Sequence, residues 1–115
     1  MQSLPEVGPF GEELKTNENR SVVSYKNLTS GGVAGKAELH ENYNDIFLVQ
    51  EGEEELFIGG EIKDKQEVSS GEWRGENLEG YASYRIKAGD TVVIPKGIAH
   101  RHGEGIIKFI CIKTS

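Results

Sequence analysis

The feature that most limits the fold of this chain is a series of short apolar or alternating runs, each closed by glycine or another turn residue. The runs are rich in β-branched and aromatic residues, which is typical of the strands of a sandwich or barrel. They cover residues 21–28, 33–40, 45–50, 55–58, 81–86, 91–94 and 106–112. No window keeps apolar residues at i, i+3, i+4 and i+7 over three helical turns, so we expect little helix. The pattern predicts an all-β protein.

The chain of 115 residues has the size of one domain. Residues 1–20 are polar and show no sustained period, which predicts an N-terminal arm that lies against the rest of the protein or a neighbouring subunit. Residues 21–115 then form a single domain. Within it, the segment 59–80 is charged, contains several glycines and has a weak apolar pattern. A segment of that length in so small a domain predicts a rim insertion, either a short extra hairpin or a loop.

The net charge of -6 argues against a nucleic-acid partner, because a phosphate-binding face needs an excess of Lys and Arg. It also argues against an anionic membrane surface, and no window approaches the roughly 20 apolar residues of a membrane span. Residues 1–14 do not read as a signal or transit peptide. The single Cys111 excludes an intramolecular disulfide and fits a reducing compartment, and its apolar run predicts a buried structural thiol. We therefore expect a cytoplasmic protein.

Two stretches, 38–52 and 89–100, carry the residues with chemistry. Side chains two apart in a strand share a face, so Glu38 and His40 point the same way. A four-residue turn then leads to a strand that begins at Asp45. If the two strands pair as a hairpin, Asp45 returns beside His40.

In the second stretch a short strand is followed by a sharp corner at 95–97, before His100. Pro95 fits the end of a strand because proline cannot donate to the ladder. A barrel that joins the two stretches brings together four ligand-type side chains, namely Glu38, His40, Asp45 and His100. Two imidazoles with one or two carboxylates suit Fe(II), Mn(II), Ni(II) or Zn(II). The residues therefore predict a site for a divalent transition metal.

The two stretches resemble the paired motifs of the cupin superfamily. The first cupin motif reads His-x-His, three or four residues, Glu, six residues, Gly. This chain has Glu38-x-His40, four residues, Asp45, six residues, Gly52. Glu38 thus stands where the family has its first His, and Asp45 stands where it has Glu.

The second cupin motif reads Gly, five residues, Pro-x-Gly, two residues, His, three residues, Asn. This chain has Gly89, five residues, Pro95-x-Gly97, two residues, His100, three residues, Glu104. Four fixed positions agree at the required spacing, and Glu104 replaces the Asn. The second motif is therefore the more specific of the two matches.

The resemblance implies an antiparallel cupin β-barrel of the double-stranded β-helix, or jelly-roll, type with a metal in the barrel. It implies that His40, His100 and Asp45 hold the ion, with Glu38 as a fourth ligand or a base. Glutamate in place of histidine shifts the site toward oxygen donors, which favours Fe(II), Mn(II) or Zn(II). Cupins also commonly pair, so we expect a homodimer that uses the segment before Ser21.

Each ligand candidate also has a plainer interpretation. His40 and His100 can be hydrogen-bonded core histidines. Asp45 suits a turn, and Glu38 can be a solvated charge at the rim. His102 shares a face with His100 if the strand continues, which would place it next to the ligands, but a solvent-facing side chain is favoured.

The remaining candidates lie on the walls and the rim. The apolar residues expected to line the barrel are Phe47, Val49, Phe57 and Ile94. In the rim insertion, Arg74 can meet a carboxylate or phosphate of a substrate, but packing of Arg74 on Trp73 at the surface is favoured.

Two functions follow from these residues. The first is a metal-dependent enzyme that acts on a small, oxygen-rich molecule in the barrel, where isomerase, lyase and dioxygenase chemistries all occur on the cupin scaffold. The alternative is a non-catalytic module that binds a small molecule or a sugar without metal, with Glu38 and Asp45 as hydrogen-bond partners.

Overall fold

The computed structural model describes residues 13–15, 22–28 and 36–114, and every regular element in them is a β-strand. The strands are β1 (Glu13–Lys15), β2 (Val22–Leu28), β3 (Ala37–His40), β4 (Asn44–Ile58), β5 (Glu61–Ile62), β6 (Gln66–Ser69), β7 (Glu72–Gly75), β8 (Leu78–Glu79), β9 (Ala82–Lys87), β10 (Thr91–Ile94) and β11 (His100–Thr114). All pairings between them are antiparallel. The prediction of an all-β, antiparallel chain with little helix is confirmed.

Two long strands, β4 and β11, form the centre of the sheet and pair along most of their length. The first half of β4 also pairs with β10, and its second half pairs with β9. On its other side, β11 pairs with β2, and β2 pairs with β1. The start of β11 meets β3, which continues the sheet through β7 to β6. No helix in the described part of the chain is long and apolar enough to cross a membrane.

The acidic run 51–55 lies inside β4, so the prediction of two separate runs, 45–50 and 55–58, is wrong. The strand continues because Gly52 takes a positive φ of 78°, a conformation that glycine adopts without strain. A Cβ at Gly52 would also overlap the carbonyl oxygen of Ile106 on the paired strand. The register between β4 and β11 shifts beside this point, as at a β-bulge. Two runs that look separate in the sequence are therefore one bent strand.

The irregularity also changes which face of β4 is buried. Asp45, Phe47 and Val49 are buried before it, whereas Glu54 and Leu56 are buried after it. Alternation from Leu56 places Phe57 on the opposite face, where it is only half-buried and lies 4.6 Å from Tyr81, centroid to centroid. The strand thus carries a second inward-facing carboxylate, Glu54, that periodicity from Asp45 does not indicate.

Two clusters of buried apolar side chains form the core. The larger one consists of Phe47, Val49, Leu56, Ile86, Ile94, Ile107, Phe109 and Cys111. The smaller one consists of Ala37, Ile62, Leu78 and Ala99, with Leu39 and Phe57 packed against it. The predicted burial of the Cys111 thiol is confirmed.

Residues 59–80 form two short strand pairs, β5 with β8 and β6 with β7. The β6–β7 hairpin extends the main sheet, because β7 pairs with β3 over its whole length. Asp64 stabilises the segment by accepting hydrogen bonds from the backbone N–H groups of Glu76 and Asn77 at 2.9–3.1 Å. Of the predicted arm, residues 1–20, only 13–15 are described, and the rest lies outside the described residues, as does the proposed dimer contact before Ser21.

Candidate metal centre

The ends of three strands bring the predicted ligands together. Glu38 and His40 lie on β3, Asp45 lies near the start of β4, and His100 begins β11. The β3–β4 hairpin that the sequence suggested does not form, because β3 pairs with β7 and β11. Instead, His100 lies directly across from Glu38, and Asp45 lies across from Lys113. The four side chains converge through β11 and not through a local hairpin.

The corner at 95–97 fixes the approach of His100 to His40. The backbone N–H of Gly97 donates to the carbonyl oxygen of His40 at 2.7 Å, and that of Lys96 donates to the Asn44 side-chain oxygen at 2.9 Å. Gly97 has a positive φ of 81°, which explains why the corner carries glycine. Backbone N–H groups of the second sequence motif therefore bind two residues of the first motif, His40 and Asn44, and hold the two motifs together.

Glu38, His40 and His100 each offer a ligand atom, and these atoms all lie within 4.8 Å of one another. His40 Nε2 is 3.7 Å from Glu38 Oε1 and 3.2 Å from Asp45 Oδ2, and His100 Nε2 is 3.6 Å from the same Asp45 oxygen. Because metal–ligand bonds to nitrogen and oxygen are about 2.0–2.2 Å, two ligands of one ion lie at most about 4.4 Å apart. The distances of 3.7, 3.2 and 3.6 Å fall below this limit, whereas a separation of 4.8 Å would have to shorten by a few tenths of an ångström around an ion.

His40 is held by a carboxylate on its far nitrogen. Its Nδ1 is 2.7 Å from Glu72 Oε1, and the Tyr43 hydroxyl donates to the same oxygen at 2.9 Å. Burial and the Glu72 carboxylate raise the pKa of Tyr43 well above its usual range, so the hydroxyl keeps its proton. The Glu72 carboxylate at Nδ1 orients the ring so that Nε2 of His40 faces the cluster, the arrangement of carboxylate–histidine–metal sites.

Asp45 is only 2% exposed and has a cation on one side. Lys113 Nζ lies 2.6 Å from Asp45 Oδ1, which leaves Oδ2 facing the two imidazoles. Burial by itself would raise the pKa of Asp45, but hydrogen bonding with His40 and the Lys113 ammonium outweigh it and hold that pKa well below its usual range. Asp45 is therefore a fixed negative charge at neutral pH.

His100 is nearly fully buried, at 1% exposure, and burial lowers its pKa to about 4. Its Nδ1 has no hydrogen-bond partner among the residues that the structure describes. A neutral imidazole is the form that binds a metal. The two imidazoles of the cluster are thus prepared as ligands in different ways. Glu72 orients His40, and burial keeps His100 neutral.

The cluster opens into a cavity of about 40 Å³. Its lining residues are Glu38, His40, Asp45, Phe47, His100, His102, Phe109, Cys111 and Lys113. Since one water needs about 10–15 Å³, the cavity has room for about three water-sized groups. Of the four residues expected to line the barrel, only Phe47 reaches this cavity; Val49 and Ile94 pack in the larger core cluster and Phe57 in the smaller.

The favoured interpretations of two side chains, His102 and Arg74, are wrong. His102 is 6% exposed and lines the cavity, so it does not face solvent. Arg74 does not pack on Trp73, because neighbouring side chains on β7 point to opposite faces. Arg74 Nη2 lies 3.2 Å from Glu38 Oε1, whereas Trp73 donates to Glu41 at 2.6 Å and has Lys65 over its ring. Arg74 is therefore at the cluster and Trp73 is not.

Sequence reasoning missed Glu72, Tyr43, Lys113 and Glu54. Glu72 lies directly across from His40 in the β3–β7 pair, a pairing that no local pattern announces. Lys113 lies across from Asp45 in the same way. The only available signal was the position of Tyr43 between His40 and Asp45, since a short turn keeps it near both.

No family model matches the sequence, and no curated protein matches it. Solved structures do match. A double-stranded β-helix domain protein from Klebsiella pneumoniae subsp. pneumoniae MGH 78578 is 21% identical, with a TM-score of 0.63 over 96% of this chain and 80% of that one. A hydroquinone 1,2-dioxygenase in complex with Cd²⁺ and 4-hydroxybenzonitrile is 16% identical, with a TM-score of 0.67 over 95% of this chain and 65% of that one.

A third similar structure is an oxalate oxidase, 20% identical, with a TM-score of 0.53 over 83% of this chain and 42% of that one. At these identities the likeness concerns the fold. The chain therefore has the cupin-type double-stranded β-helix fold that its two motifs implied.

Proposed function

We propose that this protein is a metal-dependent enzyme that acts on a small, oxygen-rich molecule. The observation that carries the proposal is the group of Glu38, His40 and His100 donor atoms within 4.8 Å of one another at the wall of a cavity. Glu72 orients His40 from behind, a support that a merely structural histidine does not need. Asp45 adds a second carboxylate through Oδ2.

The donor set favours Fe(II) or Mn(II). Two histidines and one carboxylate with open positions are typical of non-haem iron sites, and a second carboxylate suits the harder ions. A bound ion would supply a Lewis acid that binds and polarises an oxygen of the substrate. Lys113 pairs with Asp45, and Arg74 pairs with Glu38 and Glu72. These two cations offset part of the negative charge of the three carboxylates.

The size of the cavity supports a small substrate. About 40 Å³ holds only the reacting end of a molecule next to an ion. Two of the structures with this fold are enzymes of small oxygen-bearing compounds, the hydroquinone dioxygenase and the oxalate oxidase, and the former holds Cd²⁺. We accordingly propose isomerase, lyase or dioxygenase chemistry, with dioxygenase chemistry placed first by the two-histidine, one-carboxylate set.

A non-catalytic, metal-free binding module is the second candidate. It is favoured by the two ion pairs, Arg74 with Glu38 and Lys113 with Asp45, because these pairs already compensate both carboxylates. In that case the same cavity binds a small molecule through Glu38 and Asp45.

The first experiment is elemental analysis of untagged protein purified without chelator. We expect about one equivalent of one transition metal, and near-complete loss of it in His100→Gln and His40→Gln. Glu55→Gln is the matched control, because Glu55 lies on β4 and hydrogen-bonds Ser83 away from the cavity. Fe(II), Mn(II), Zn(II) and Ni(II) are then reloaded separately, and thermal shifts are compared with and without chelator.

The second experiment tests catalysis. The loaded protein is incubated with hydroxy acids, diols and hydroquinones, and turnover is followed by proton NMR and with an oxygen electrode. Turnover that is abolished by chelator and by His100→Gln supports the enzyme. Stabilisation by one of these molecules in the presence of chelator, with no metal bound, supports the binding module and rejects the enzyme.

A further inference from the structure

A second buried histidine–carboxylate pair lies next to the metal cluster. His102 Nδ1 is 2.6 Å from Glu54 Oε1, and the two side chains are 6% and 0% exposed. The other oxygen, Glu54 Oε2, has no hydrogen-bond partner among the described residues. Glu54 belongs to neither the predicted ligand set nor the group of donors within 4.8 Å.

The rings around His102 hold it in one orientation. Phe47 stacks on it at 5.4 Å between centroids with an interplanar angle of 25°, and Phe109 lies at 5.5 Å on a tilt of 32°. With Nδ1 bound to Glu54, the ring edge with Nε2 is left to meet another group. His102 lines the same cavity as His40 and His100, and its ring centroid is 6.3 Å from that of His100.

A buried pair of this kind is not explained by stability. Taking a carboxylate and an imidazole out of water carries a desolvation penalty that their attraction often fails to offset, and apolar residues of similar volume are frequently as stable. The penalty is largest among apolar neighbours such as Phe47, Phe109 and Leu56. The pair therefore calls for a role at the cavity that it borders.

We propose that His102 contacts the bound ligand through Nε2 and that Glu54 is its positioning residue. The ligand then carries two oxygen atoms on neighbouring carbons, one at the Glu38, His40 and His100 cluster and the other at His102. An α-hydroxy acid, a vicinal diol and oxalate have this chemistry in common. This inference rests on the proposed metal site and names the substrate class of that site.

The test uses Co²⁺-loaded protein, whose visible spectrum reports ligands at the ion, with acetate, glycolate and oxalate as probes. Glycolate differs from acetate by one hydroxyl on the neighbouring carbon, and oxalate by a second carboxylate. The main variant is the double substitution Glu54→Met with His102→Phe, since removal of both partners avoids an unpaired buried charge. Glu54→Gln alone tests positioning, and Glu55→Gln is its matched control.

We expect the double variant to bind the same amount of Co²⁺ and to bind acetate as the wild type does. Its preference for glycolate over acetate should fall about tenfold, the upper end of the effect of losing one hydrogen bond to an uncharged hydroxyl. Glu54→Gln should lower the preference by a smaller factor at unchanged Co²⁺ content, which a purely structural Glu54 would not do. If the preference for oxalate over acetate falls in parallel, Nε2 donates, because a carboxylate can only accept. If only the preference for glycolate falls, Nε2 accepts from the glycolate hydroxyl.

The inference is overturned if the double variant keeps the glycolate preference of the wild type, or if the wild type has none. Failure of the proposed metal site is a different result, since wild-type protein would then take up no stoichiometric Co²⁺ before any probe is added.

Discussion

Lowering the pH is expected to destabilise the metal-free protein through His100. Burial lowers the pKa of His100 from 6.5 to about 4 in the folded protein. Between these two values the unfolded chain binds a proton at this histidine and the folded protein does not. Stability therefore falls as the pH falls through this window, and the contribution of His100 is fully retained above it.

The size of the effect follows from the two pKa values. One pKa unit corresponds to about 1.4 kcal/mol. At about pH 5 the histidine is almost fully protonated in the unfolded chain and almost fully neutral in the folded protein, which makes the loss relative to pH 7.5 about 2 kcal/mol. Asp45 acts in a separate window, because its lowered pKa removes stability only as the pH falls below 3.8, its value in the unfolded chain.

The assay is urea unfolding with chelator present, at a series of pH values from about 7.5 to 4.5, for the wild type and His100→Gln. Glutamine keeps a polar group of similar reach but does not titrate. The stability difference between the two proteins should shrink by about 2 kcal/mol from the upper pH to about pH 5. A difference that stays constant within about 0.5 kcal/mol would refute the assignment of the acid sensitivity to His100.

Two further predictions concern the Lys113–Asp45 ion pair and the glycine at the irregularity of β4. Lys113→Met should lower the free energy of unfolding by about 2–3 kcal/mol at neutral pH, because it leaves the Asp45 carboxylate buried without its cation. Lys113→Arg should keep most of that stability. Urea midpoints measure both variants, and a loss under about 0.5 kcal/mol for Lys113→Met would mean that the pair makes no net contribution. Gly52→Ala should lower the free energy of unfolding by about 2–4 kcal/mol, and Gly89→Ala should lower it by about 1 kcal/mol. Both glycines have a positive φ, but only at Gly52 would a Cβ meet the backbone of Ile106. Equal losses in the two variants would show that φ alone determines the cost.

The strand pattern could be predicted from the sequence because half-buried strands alternate, and the short runs on the second half of the chain fall within two residues of β9 and β10. The two long strands could not, since glycines at 52 and 105 interrupt the alternation where β4 and β11 bend. A glycine that continues a strand at positive φ looks the same in a sequence as a glycine that ends one. Which of the two it is depends on the partner strand.

The candidate metal cluster, like the strand pattern, could be predicted from the sequence only in part. His40 and His100 were found because each stands in a motif with fixed spacing to a turn, and the turn at 95–97 is what joins them. The supporting carboxylates Glu72 and Glu54 were not found, because each reaches its histidine across a strand pairing between distant segments. Sequence spacing carries information about groups that one turn positions, and little about groups that a sheet positions.

The three histidines differ in what lies behind the ring, and this difference bears on function. His40 and His102 each have a carboxylate at Nδ1, whereas the Nδ1 of His100 has no partner in the described part of the chain. An imidazole backed by a carboxylate has one nitrogen fixed for a ligand or an ion on the other side. If the cluster were only a packed core, two buried histidine–carboxylate pairs at one cavity would each add desolvation cost with no return in stability. The arrangement is consistent with a site in which His40 and His100 hold an ion and His102 meets the molecule bound to it.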